Sequence, residues 1–188
     1  MLPYWKHIRQ FLKDDIILPG YKFEPLNNPN GSPNGGVCIF YKEHLPLRPR
    51  FDLCFDECFV TELQYGRKKI FFTVLYRNPS FKANSLDDFR KLHDKIANEN
   101  PVSTYFTGDF NAQTQAWYPD GATNLEGTML EDLFTSLNLM QIITEPTHYR
   151  DNCQPTCIDL IVTDQPNLVL ESCSTRLNKK RPTKNRQR

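Results

Sequence analysis

No run of about 18 consecutive apolar residues occurs in this chain, so nothing in it reads as a helix able to span a bilayer. The stretch from Met1 to His7 lacks the basic flank, apolar block and small-residue cleavage site of a secretory signal. A reducing, intracellular setting is therefore the default expectation, and the six cysteines read as free thiols rather than a disulfide framework. Cys54/Cys58 and Cys153/Cys157 could in principle hold zinc, but neither pair has the glycine-bearing turn that aims two sulfurs at one ion. Buried small apolar side chains are the simpler account of them. No internal repeat is present. Acid is missing from the last stretch, where Arg176, Lys179, Lys180, Arg181, Lys184, Arg186 and Arg188 leave the body acidic beneath a formal charge of +1.

What is there suffices for one domain. A chain of 188 residues, 39% apolar and 12% aromatic, can build a single core and is short for two. Trp5, Ile8, Phe11 and Leu12 suggest a short helix at the start, followed by a loop from Gly20 to Gly36 dense in Pro, Asn and Gly. Val37–Lys42 reads as a buried strand. Cys58–Gln64 and Lys69–Tyr76 read as a hairpin turning at Gly66. Ser85 can cap a helix that runs to about Asn98, with Leu86, Phe89, Leu92 and Ile96 on its apolar face. A strand over Ser103–Gly108, a helix over Glu126–Leu137, and strands over Met140–Thr144 and Thr156–Thr163 complete the order. Hairpins first and alternating strands and helices afterwards predict an α+β fold, two sheets face to face with helices outside.

The residues able to carry chemistry cluster at strand ends. Asp109, in Gly108-Asp109-Phe110-Asn111, offers a hard oxygen suited to magnesium, and the amide of Asn111 can accept from and donate to a phosphate. Asp and Asn after a strand are also ordinary turn formers, so their context has to decide. Tyr76 read alone ends a strand with its hydroxyl in water. Asp159, inside Ile158 to Val162, must face water or be paired, because burying a bare carboxylate is costly. His7, His44, His93 and His148 read as surface or turn residues.

Three strings occur in order at domain-scale spacing: Tyr76 to Pro79, Gly108 to Asn111, and Thr156 to Ile161. Together with Pro19 to Tyr21, Gly35 to Tyr41 and Thr144 to His148, this set resembles the endonuclease domain of LINE-type, jockey-like non-LTR retrotransposons, in the endonuclease/exonuclease/phosphatase family. The resemblance implies a two-layered β-sandwich flanked by helices, deoxyribonuclease I-like, over residues 16–171. Residues 1–15 would be a remnant or short helix, and 172–188 a basic tail without fixed structure. It further implies a magnesium-dependent (or manganese-dependent) DNA phosphodiester hydrolase, working in the nucleus beside a reverse transcriptase. Asp109 would activate water and weakly bind metal, Asn111 would hold the phosphate, and Tyr76 would lie against it. Asp159 would position the site, and Thr147 would line the DNA side.

Two parts of the family pattern are missing. The family places an asparagine-bearing strand and a metal-binding glutamate before the segment matching Ile16 to Tyr21, and neither Asp14 nor Asp15 replaces them. No Ser-Asp-His triplet follows Asp159. The expectation is an incomplete domain with little or no nuclease activity. Its alternatives are a non-catalytic nucleic-acid-binding remnant and a phosphatase of the same superfamily.

Overall fold

In a computed structural model, the described residues are 18–26, 36–55, 57–79, 84–150 and 152–169. The expected N-terminal helix and the basic tail lie outside them. In chain order the elements are β1 (Tyr21–Leu26), β2 (Val37–Lys42), β3 (Leu47–Pro49), β4 (Cys58–Tyr65), β5 (Lys68–Tyr76), α1 (Asn84–Ala97), β6 (Ser103–Asp109), α2 (Leu125–Ser136), β7 (Met140–Gln141) and β8 (Asp159–Thr163), followed by a single 3-10 turn at Pro166–Leu168. β1 and β2 form a two-stranded antiparallel sheet, and the other six strands form a mixed sheet in the order β3-β4-β5-β6-β8-β7. Within it β5 and β6 run parallel, joined by α1, while β8 runs antiparallel to β6.

Strand alternation sends successive side chains to opposite faces. One face of the large sheet presents Val60, Phe71, Phe106, Leu160 and Val162 to Phe89, Leu92 and Ile96 of α1 and to Leu130, Leu133 and Phe134 of α2. The other face presents Phe59 and Val74 to Val37, Ile39 and Tyr41 of β2. Burying each large apolar side chain stabilises the fold by roughly 1.5–3 kcal/mol. Phe71 and Phe106, at 0% exposure, are among the fully buried ones. The architecture is the expected α+β sandwich with helices on an outer face. Among the described residues no helix is long and apolar enough to cross a membrane, and none of Cys38, Cys54, Cys58, Cys153 and Cys157 is joined in a disulfide.

Four local expectations are corrected. The Gly20–Gly36 run contains β1, because pairing with the buried β2 and the contact of Phe23 with Phe40 at 4.8 Å outweigh its loop composition. The strand expected over Met140–Thr144 stops at Gln141, whose side-chain amide hydrogen-bonds the backbone N–H and C=O of Ile143. β8 begins at Asp159 rather than Thr156, since the N–H groups of Ile158 and Asp159 turn to the Thr147 hydroxyl. α1 starts at Asn84, so Ser85 lies inside its first turn instead of ahead of it. α2 is capped by Asn124, whose side-chain oxygen accepts from Gly127 N–H.

The end of the sheet away from Tyr76 is tied by charge. Glu62 is fully buried and bonded by Arg50 at 2.7 Å and Arg48 at 2.9 Å. Arg50 also reaches Glu99, which Lys69 meets at 2.6 Å. Hydrogen bonds from Arg50 and Lys69 hold the Glu99 carboxyl down at about 2. A buried charge persists only with such partners.

Candidate active site

Tyr76 is the last residue of β5, Asp109 the last of β6 and Asp159 the first of β8. The strand register sets Tyr76 opposite Asp109 and Asp109 opposite Asp159. The three side chains therefore form one row across three adjacent strands, on the face turned away from the helices and at one rim of the sheet. Gly108 precedes the row at φ +146°, and a Cβ there would lie 1.8 Å from the carbonyl oxygen of Leu75. β5 and β6 close to this distance because position 108 has no side chain.

Beyond Asp109 the chain leaves the sheet. Phe110 N–H donates to Ile158 C=O at 2.8 Å, and its buried ring packs under the rim against Phe89 and Phe134. Asn111 takes the left-handed conformation, φ +47°, which asparagine tolerates better than most residues. Its N–H donates to the Asp109 carboxylate at 2.9 Å, and its side-chain amide donates to Arg77 C=O at 2.8 Å. Farther on, Asn124 at the cap of α2 accepts from Gln113 N–H and donates its own N–H to Gln113 C=O.

Thr147 sits behind Asp159. Its hydroxyl oxygen accepts from Asp159 N–H at 3.0 Å and Ile158 N–H at 3.2 Å. So engaged, it braces Asp159.

The electrostatics follow from half-burial. Burial pushes the Asp109 carboxyl up to about 6; the Asn111 N–H pulls against this, the Asp159 charge adds to it, and Arg77 opposes it. Asp159 is raised by burial against the pull of Thr147 and the nearby His148. The Tyr76 phenol is raised by burial and by the charges of Asp109 and Glu57. A carboxylate with its proton affinity moved toward neutrality can exchange protons with a reacting group.

This shift has a consequence for stability. Where the folded-state value lies above the ordinary 3.8, the folded protein holds a proton that the unfolded chain has released. The Asp109 contribution is thus fully present below about pH 3.8 and is lost as pH rises through about 6. Urea unfolding across that range is expected to show a shallower decline in Asp109→Asn than in the parent. Parallel curves would contradict the burial of this carboxyl.

The structure brings together all five residues singled out in the sequence: Tyr76, Asp109, Asn111, Thr147 and Asp159. Sequence reasoning gave no part to Arg77, whose guanidinium donates to Phe110 C=O at 2.5 Å and Asn111 C=O at 2.8 Å. The signal was its place beside Tyr76, within the string from Tyr76 to Pro79. His148, read as a turn residue, is half-buried near Asp159, and its Nε2 accepts from Arg150 Nε at 2.9 Å.

Known proteins share this fold. Among solved structures, the chain is similar to the endonuclease domain of TRAS1, a telomere-specific non-LTR retrotransposon, at TM-score 0.62 and 17% identity, over 77% of this chain and 65% of that one. It is similar to the AP endonuclease LMAP of Leishmania major at TM-score 0.62 and 13% identity, over 78% and 62%. It also resembles the 3′-5′ exonuclease NExo of Neisseria meningitidis at TM-score 0.52 and 13% identity, over 77% and 67%. At such identities the likeness is one of fold, deoxyribonuclease I-like, and the chain spans just under two thirds of the length of the first two. No curated protein sequence matches. The sequence profile described as endonuclease-reverse transcriptase matches residues 70–181, more than half of the chain and the part that holds every residue of the row. The chain belongs to the endonuclease-reverse transcriptase family.

Proposed function

We propose that the rim holding Tyr76, Asp109, Asn111 and Asp159 is the phosphate-handling part of a DNA phosphodiesterase site, working in the nucleus beside the reverse transcriptase domain of a retrotransposon. The observation that carries this reading is the register row of Tyr76, Asp109 and Asp159, with Asn111 folded back onto Asp109. Attack by water on a phosphodiester needs an acceptor for the proton of the water and donors for the phosphate oxygens. One oxygen of the Asp109 carboxylate accepts from Asn111 N–H, and the carboxylate can take that proton. Asn111 and Tyr76 are the donors that would face the phosphate. Asp159, braced by Thr147, keeps the neighbourhood of Asp109 fixed. Cleavage on the 3′ side would leave a hydroxyl that a linked polymerase could extend.

Magnesium is commonly held by one or two carboxylates, the rest of its shell being water and phosphate oxygen. Asp109 and Asp159 supply such a pair, half-buried and neighbouring, with like charges that a cation would relieve. The donor chemistry therefore fits the ion to that extent, with Asp109 and Asp159 as its holders. When bound, magnesium would neutralise charge on the phosphate and the leaving oxygen. Among the described residues no third His, Cys, Asp or Glu joins the pair, and the sequence contains no Ser-Asp-His triplet. We infer that the 188 residues alone turn DNA over slowly.

A plasmid-nicking assay in magnesium tests this. The expected result is turnover orders of magnitude below that of a nuclease with a complete ligand set, with Asp109→Ala removing what remains. Full-rate nicking that depends on Asp109 would overturn the slow-turnover inference. Nicking at any rate that is indifferent to Asp109→Ala would overturn the site itself.

A further inference from the structure

Between β6 and the helix α2 the chain must hold Asn111 in a left-handed conformation at a rim where the regular hydrogen-bond ladder has ended. The carbonyls of Phe110 and Asn111 have left that ladder, and half-buried acceptors without donors are costly. Arg77 meets both, Nε donating to Phe110 C=O at 2.5 Å and Nη2 to Asn111 C=O at 2.8 Å. Its main chain completes the tie. Arg77 N–H donates to Asp109 C=O at 2.8 Å, and Arg77 C=O accepts from the Asn111 side-chain amide at 2.8 Å.

Four hydrogen bonds thus join a single residue to three consecutive ones. Arg77 is half-buried, and burial works against its charge while Glu126 and Asp109 work for it. Its guanidinium is spent on main-chain carbonyls, whereas those of Arg48 and Arg50 meet the Glu62 carboxylate. A planar guanidinium presents two N–H groups in fixed directions and can bridge adjacent carbonyls, whereas an ammonium is a point donor that cannot match both at once.

We propose that Arg77 is a positioning residue: its guanidinium brackets the carbonyls of Phe110 and Asn111 and thereby fixes the aim of the Asn111 side-chain amide toward the phosphate. The functional half of this statement rests on the reading of the rim as a phosphate site. The geometric half stands on the four bonds. Arg77 itself need not touch the substrate.

Two readouts on the full chain separate the halves. The first is hydrogen–deuterium exchange at the amides of Phe110, Asn111 and Gln113, which in Arg77→Ala should be about tenfold faster or more while α1 and β4 are unchanged. The second is affinity for a duplex DNA oligonucleotide in magnesium. Arg77→Ala and Asn111→Ala should each weaken it by about tenfold, and the double variant by little more than either, because both remove the same contact. Arg77→Lys should restore the melting temperature but neither the amide protection nor the affinity, and millimolar guanidinium should restore part of both to Arg77→Ala.

Amides as protected in Arg77→Ala as in the parent would overturn the bracket whatever the affinity does. Full recovery of protection by Arg77→Lys would overturn it as well, since a bulky cation would then suffice. Loosened amides with an affinity indifferent to both Asn111→Ala and Arg77→Ala would sink the phosphate reading of the rim while supporting the bracket.

Discussion

Gly108→Val is expected to unfold the protein or to cost it at least about 4 kcal/mol in urea unfolding, beyond the ordinary range for a single substitution. Position 108 lies in β6, an inner strand of the six-stranded sheet, with β5 on one side and β8 on the other. A Cβ there would stand 1.8 Å from the Leu75 carbonyl oxygen and 2.8 Å from its carbon. Those are backbone atoms of a neighbouring strand, so no side chain can swing aside to make room. The φ of +146° is strained for any L side chain, at a cost of about 1–3 kcal/mol before the collision is counted. Gly66 is the control. It also has positive φ, +62°, but nothing lies within 4 Å of a Cβ there, so Gly66→Ala should cost only about 1–2 kcal/mol. Equal losses at the two positions would contradict the packing of β5 against β6. Because Gly108 precedes Asp109, the approach that forbids a side chain at one residue also aligns the next with Tyr76.

Much of this was legible in the chain. Val37–Lys42 and the hairpin around Gly66 carry their pattern locally, in β-formers bounded by turn residues, and both formed as read. The apolar spacing of Phe89, Leu92 and Ile96 gave α1 to within a residue or two. β1 was not legible, because a segment containing Pro25 and flanked by Asn and Gly becomes a strand only when β2 is present to pair with it. The short edge strand β3 is of the same kind. At the site, Asp109, Asn111, Tyr76 and Asp159 could be picked out by residue type and by resemblance, but their register could not, since it depends on how β5, β6 and β8 align across long separations. Arg77 was hidden for a further reason: its partners are main-chain carbonyls, which leave no mark in a sequence.

The second large effect is expected in binding. With Asp109 and Asp159 ionised, the rim repels a phosphate, and a divalent cation between them and the phosphate reverses that sign. At constant ionic strength and neutral pH, magnesium should tighten the affinity for duplex DNA by about tenfold relative to a chelator, the worth of one charge-assisted contact. Asp109→Asn should lower the repulsion without magnesium and remove most of the gain with it. The basic run from Arg176 to Arg188 would bind DNA differently. Contacts between Lys or Arg and phosphate release counterions, and magnesium competes for the same phosphates, so binding through that run weakens when the ion is added. The sign of the magnesium effect therefore reports which surface holds the DNA.

The decisive measurement is fluorescence anisotropy of a labelled duplex with the whole chain and with Asp109→Asn, in magnesium and in chelator at matched ionic strength. Tighter binding in magnesium that largely disappears in Asp109→Asn is the result this account predicts. Binding that magnesium weakens equally in both proteins would contradict it.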